Sequence, residues 1–341
     1  MTSPDAQGSA QLIGHQWALD ALARAIKTSS LAHAYLLTGP EHVGKLATAM
    51  AIARLLLCPS NPACGTCRHC RHAARGAHPD MRILALPTDR KTIPIKDVHE
   101  FLHGIALKPL EATRKVYLIP DAENLAEDGA TALLKTIEEP PAGVTLLLTA
   151  ADPSALLPTV VSRCQVITLH RVPPAVIAEH LISGRGIDAD RAQSAASESG
   201  GLPGWAILAV DRPEILEDRV RCARELRGAL DGDVLSRIRY ADELSEQWSS
   251  HPENVRNVLE IWAEVWEAAL LVQHGFQGTR CASAIRREAV MISERLDAST
   301  VRRALARTLD VEDGLNHNAN PRLALEAYMM GLPRPAGSGL D

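Results

Sequence analysis

The sequence predicts an α/β domain built on a mostly parallel sheet, followed by an all-helical region. Three observations carry this. Short apolar runs alternate with amphipathic helical stretches up to about residue 171, the pattern of strands joined by crossover helices and covered on both faces. Strand signals stop after Pro173-Pro174. From about Pro213 to Gly331 apolar residues recur at helical spacing almost throughout. The 341 residues suffice for two or three domains.

Ala18 to Ile26 reads as a helix, and Ala34-Tyr-Leu-Leu-Thr38 as a buried strand. A glycine-rich loop follows, then a helix over Ala47 to Leu57. Further strands are predicted at Met81–Leu86, Val116–Ile119, Val144–Thr149 and Val166–Leu169, with helices over Ile95–Leu107 and Ala126–Glu138. Residues 174–200 read as short helices closed by Gly200-Gly201-Leu-Pro-Gly204. Arg219–Leu230, Asn254–His274 and Ser299–Asn316 carry apolar stripes that need partners to bury them; an autonomous helical bundle is the alternative. The first ten residues lack a basic and an apolar region and read as a short disordered lead. Residues 334–341 read as a disordered tail.

The net charge of −5 and the two phenylalanines argue against a basic, base-stacking nucleic-acid platform. No apolar run reaches the length of a membrane span. A cytoplasmic location is expected, and there clustered cysteines are metal ligands rather than disulfides.

Gly39-Pro-Glu-His-Val-Gly-Lys-Leu46 nearly spells the phosphate-binding loop Gly-x-x-x-x-Gly-Lys-Ser/Thr. Gly39, Gly44 and Lys45 stand between a strand and a helix, as such a loop requires. Its last position normally supplies a hydroxyl to Mg2+, and Leu46 has none. The second half of such a site is an acidic residue at the end of another strand. Here that strand runs into Pro120-Asp121-Ala122-Glu123. Proline offers no carboxylate, and Asp121 and Glu123 read as helix N-terminal acids. ATP binding is therefore doubtful and hydrolysis by this chain is not expected. A glycine-rich turn that binds no nucleotide is the simpler alternative.

Cys58, Cys64, Cys67 and Cys70 form C-x5-C-x2-C-x2-C, a spacing that closes a tetrahedral Zn2+ site. Four protein ligands leave no open position, so the zinc would be structural. Histidines 69, 72 and 78 read as surface or core residues, and Cys164, Cys222 and Cys281 as buried packing residues.

These motifs, in this order, resemble the delta prime family of bacterial DNA polymerase III clamp-loader subunits, within the AAA+ class. The resemblance runs through Leu12-Ile-Gly-His15, Ala32-His-Ala-Tyr-Leu-Leu-Thr-Gly-Pro40, the cysteine module and His78-Pro79-Asp80. It continues through Leu133-Leu-Lys-Thr-Ile-Glu-Glu-Pro-Pro141, Leu157-Pro-Thr-Val-Val-Ser-Arg-Cys-Gln165 and Asn320-Pro-Arg-Leu-Ala-Leu-Glu326. It implies a RecA-like AAA+ domain over 1–171 with a zinc module at about 58–80. A helical lid over 172–212 and a helical collar over 213–333 would follow. It also implies that Arg163 is an arginine finger acting in trans on a neighbour's ATP, with Ser162 capping the helix or turn that carries it and Cys164 anchoring it; without the resemblance, Arg163 reads as a surface salt-bridge residue. The implied partners are gamma/tau and delta subunits, the beta sliding clamp, and primed DNA through the assembled complex. The family often places a nucleotide-sensing arginine near Trp205; this chain has none, and Trp205 is expected to pack the lid. Thr149 matches the polar residue ending the sensor strand. An ATP-hydrolysing gamma/tau-type subunit is the alternative, and a zinc-bearing DNA-binding module outside any loader is a third reading.

Overall fold

The computed structural model describes residues 12–87, 90–276, 283–317 and 319–334. The expected lead over 1–10, Cys281 and all but the first residue of the expected tail lie outside the described residues. The chain divides into two compact units, one up to Ile187 together with Leu202–Trp205, the other Asp188–Gly201 with the chain from Ala206 onward.

The first unit is built on five parallel strands: β1 (Ala34–Thr38), β2 (Met81–Ile83), β3 (Lys115–Ile119), β4 (Val144–Ala150) and β5 (Gln165–Thr168). Their order across the sheet is β2-β3-β4-β1-β5. Every residue of β1 and β4 is buried, which explains why these strands read as mainly apolar runs. Alternate side chains serve opposite faces. Tyr35, Leu37, Val116, Leu118 and Leu147 join one core. Ala34, Leu36, Tyr117, Ile119, Leu146 and Leu148 join the other.

Six helices flank the sheet, α1 (Gln16–Lys27), α2 (Lys45–Leu57), α3 (Arg68–Ala74), α4 (Ile95–Leu102), α5 (Glu127–Glu138) and α6 (Pro158–Val161), and α7 (Pro174–Arg185) follows β5. Leu22, Ile52, Leu56 and Ala73 pack on the first core; Val98, Phe101, Leu133, Ile137 and Val160 pack on the second. Two elements are shorter than the sequence suggests. Edge strand β2 ends at Ile83. Helix α4 ends at Leu102, because His103 turns extended and Gly104 takes φ +76°.

Helix α8 (Ala189–Glu198) belongs to the second unit, and α9 (Pro203–Asp211) begins in the first unit and continues into the second. Then come α10 (Glu214–Asp231), α11 (Val234–Ser250), α12 (Pro252–Gln273), α13 (Ser283–Arg295), α14 (Ala298–Asn316) and α15 (Pro321–Met330). Starts are set by local chemistry: Asp188, Asp233, Asp297 and Asn320 each accept a first-turn backbone N–H. The apolar stripes meet inside this chain. Val258, Leu259, Trp262, Val265 and Trp266 of α12 are buried with Leu226, Leu244, Ile292, Val301 and Tyr328. Those stripes therefore need no second chain to cover them, which corrects that step of the sequence argument. Arg237 is buried and donates to Ala229 O (2.8 Å), Leu230 O (3.1 Å), Leu332 O (2.8 Å) and Pro333 O (3.2 Å). It ties the C-terminal end of α10 to the chain after α15 with one cation. No described helix is long and apolar enough to cross a membrane.

Candidate functional site

The glycine-rich loop leaves the C-terminal end of β1, where ligands of open parallel sheets bind. Gly39 has φ +145° and Gly44 +105°; a Cβ on Gly39 would come within 2.5 Å of Leu169 O, so only glycine fits. Lys45 Nζ turns back on the loop's own carbonyls, at 2.9 Å from Gly39 O and 3.2 Å from Pro40 O. Buried His15 Nε2–H donates to Val43 O at 2.9 Å and braces the loop from behind. Its burial outweighs that hydrogen bond and lowers its pKa. The backbone N–H of Gly204, at the start of α9, donates to His42 O at 2.9 Å, so this helix start seats on the loop, and Trp205 is buried.

Leu46 points outward, 47% exposed. The next hydroxyl along α2 does not replace the missing one: Thr48 is buried and donates to Gly44 O at 2.9 Å. At the end of β3, Asp121 takes φ +46°. Its N–H donates to Thr149 Oγ1 (2.8 Å), whose hydroxyl faces Asp121 Oδ1 at 3.4 Å. Glu123 Oε1 accepts the Ala151 N–H at 2.9 Å. Asp121 and Glu123 were expected as helix N-terminal acids, but only a three-residue 3-10 turn follows. Both acids instead stitch the end of β3 to the end of β4, and Gly39 N–H continues that seam to Ala151 O at 3.2 Å.

The four cysteines converge at the end of α2 and around α3. Cys58 Sγ lies 3.8 Å from Cys64 Sγ and 3.9 Å from Cys67 Sγ, and Cys64 Sγ lies 4.0 Å from Cys70 Sγ. All four sulfurs fall within 4.8 Å of one another. Three backbone N–H groups aim at sulfurs at 3.4 Å: Ser60 at Cys58, Cys67 at Cys64 and Cys70 at Cys67. Such donors favour thiolates, as a metal centre needs. The backbone N–H of Cys67, followed by that of Thr66, lowers the Cys64 thiol to about 6, whereas burial pushes Cys70 up to about 12. This donor set fits a tetrahedral metal ion.

His69, His78 and Glu111 form a second group of possible ligands, but its chemistry opposes a metal. His78 Nδ1 accepts the Asp80 N–H at 3.0 Å, so the neutral ring carries its proton on Nε2 and donates it to His69 Nδ1 at 2.9 Å. Metal on that nitrogen would require an anionic ring. Glu111 is paired with Arg68. Asp80 is the anchor here: its buried carboxylate accepts the N–H groups of Leu110 (2.6 Å), Glu111 (2.8 Å) and Ala112 (2.8 Å). Burial alone would raise its pKa; the three donors outweigh it and leave the carboxyl below its usual range.

Arg163 follows the single-turn helix α6. Its Nη1 donates to Thr159 O at 3.0 Å, and its Nη2 lies 2.8 Å from Glu138 Oε1. Ser162 sits at the C-terminal end of α6 rather than its start, and its hydroxyl donates to Thr159 O at 3.1 Å. Cys164 is partly buried against the second core. Spacing rules gave no sign of His15, Asp80 or Glu138, whose partners lie 25 to 32 residues away in sequence.

A parallel β2-β3-β4-β1-β5 sheet with a glycine-rich loop after β1 and seam residues after β3 and β4 defines a nucleotide-loop α/β protein of the AAA+ class. Residues 14–173 match the family described as "DNA polymerase III, delta subunit". DNA polymerase III subunit delta' of Pseudomonas aeruginosa is 34% identical over 227 residues, 65% of this chain and 67% of that protein. Subunit tau/gamma of Haemophilus influenzae is 35% identical over 176 residues, 50% of this chain and 25% of that protein. Subunit delta' of Escherichia coli is 33% identical over 178 residues, 51% and 53% of the two chains. This chain thus spans only a quarter of the tau/gamma relative and two thirds or less of the two delta' relatives' length. The chain belongs to the DNA polymerase III clamp-loader subunit family.

Proposed function

We propose that this chain is a non-hydrolysing delta prime subunit of the DNA polymerase III clamp loader, a cytoplasmic component of that holoenzyme. The observation that carries the reading is the exposed Leu46 where a Mg2+-binding hydroxyl belongs, with Thr48 committed to Gly44 O. Pro120 adds a second gap in the same metal shell. In this reading Arg163 serves the ATP site of an adjacent gamma/tau subunit. There it would stabilise charge building on the γ-phosphate, an effect of roughly a thousandfold or more. Residues 172–212 would form a lid and 213–333 a collar joining the ring with gamma/tau and delta. The ring would open the beta clamp and place it on primed DNA, touching the DNA backbone with little sequence reading. Cys58, Cys64, Cys67 and Cys70 would hold one structural Zn2+, which fixes the segment after α2.

The 35% identity with a tau/gamma subunit supports the second reading, an ATPase in its own right. ATP turnover by the purified chain, wild type beside Lys45→Ala, separates the two. No turnover in either supports the proposal; wild-type turnover that Lys45→Ala abolishes overturns it.

A further inference from the structure

Arg163 does not stand free. Its guanidinium is folded back over α6, with one Nη on Thr159 O and the other on the Glu138 carboxylate. Glu138 is the last residue of α5, and α5 packs directly on α6. The carboxylate is therefore delivered by a helix anchored through Leu133 and Ile137 in the core, not by a wandering loop. A guanidinium binds carboxylates and phosphates alike, so Glu138 holds an Nη of Arg163 that a nucleotide phosphate could also take.

We propose that Glu138 is a parking site for the arginine finger. The inference rests on the reading of Arg163 as a finger for a neighbour's ATP. In the separate subunit the carboxylate neutralises the guanidinium and holds it against its own α6. On docking, the neighbour's γ-phosphate, with the greater charge, displaces the carboxylate and takes the fork. Both side chains are partly exposed, Arg163 38% and Glu138 47%, so the contact is weak enough to yield. Exposed pairs of this kind correspond to effects of about two- to fivefold in an equilibrium. Glu138 is thus a positioning residue: it sets how often the finger is available and touches no substrate.

The test is ATP turnover by the complex reconstituted with gamma/tau-type subunits, comparing wild type, Glu138→Gln, Arg163→Ala and the double variant. Glu138→Gln keeps the side chain's size at a half-exposed helix end, so melting should not move. It should raise the adjacent site's share of kcat about two- to fivefold with ATP KM unchanged, and the gain should shrink as salt is raised. The gain should vanish in the Arg163→Ala background. If Arg163→Ala lowers turnover but Glu138→Gln leaves it unchanged or lower, the parking role fails and the finger stands. A gain that persists without Arg163 also overturns the parking role. Unchanged turnover in Arg163→Ala overturns the finger and the parking role together.

Discussion

Cys70→Ser removes a buried cysteine of the four-cysteine cluster. Three of the six sulfur separations are 3.8, 3.9 and 4.0 Å, and all lie within 4.8 Å. A tetrahedron with edges of about 3.9 Å has its centre about 2.4 Å from each corner, against about 2.3 Å for a Zn–S bond. Wild-type protein should therefore carry one zinc per chain, with four sulfurs near that distance by X-ray absorption, and Cys70→Ser should lose stoichiometric zinc. The pH dependence follows from the thiols. Cys70, at about 12 without metal, must give up a proton when zinc binds at neutral pH. Cys64, at about 6, has already lost its own. Affinity should fall about tenfold per displaced proton for each pH unit of acidification, and more steeply once Cys64 also takes up a proton below about pH 6. Chelator competition at pH 7.5 and about pH 5.5 measures this. Zinc-free wild-type protein, or an affinity indifferent to pH, would refute the reasoning.

Two further predictions concern stability. Arg237→Met leaves four backbone carbonyls without their donor and should cost about 3 kcal/mol, read as a fall in Tm of roughly 6–12 °C; an unchanged Tm would show that water replaces the guanidinium freely. Asp80→Ala strips three N–H groups of their acceptor and should cost about 2–3 kcal/mol. Because the Asp80 carboxyl is depressed when folded, its contribution is full above the unfolded value of about 4 and is lost as pH falls through the lower folded value. Wild type and Asp80→Ala should therefore converge in stability in strong acid, and a gap that stays constant with pH would contradict the assignment.

The sheet was legible because parallel strands are buried on both faces, so Ala34–Thr38 and Val144–Thr149 read as mainly apolar runs. The cysteine module was legible because its spacing is its chemistry. The loop's defect at Leu46 was legible from one letter. The rest depends on partners that no local pattern pairs. The bracing of the loop by His15, the Asp80 anchor and the Glu138–Arg163 contact each join residues from separate elements. The acids after β3 misled because a 3-10 turn of only three residues stands where a helix was expected, and Asp121 in a left-handed conformation turns toward Thr149 instead. The long helical stripes suggested missing partners because sequence alone does not reveal that α10 to α15 fold on one another.

The central claim is that this chain acts on a nucleotide held by its neighbour. Single-turnover ATP hydrolysis at the adjacent site of the reconstituted complex, with Arg163→Ala in this chain alone, tests it most directly. The account predicts normal assembly and a fall on the order of a thousandfold at that site, seen in steady state as loss of the site's share of total turnover. Hydrolysis at the wild-type rate in a complex that assembles normally would contradict it.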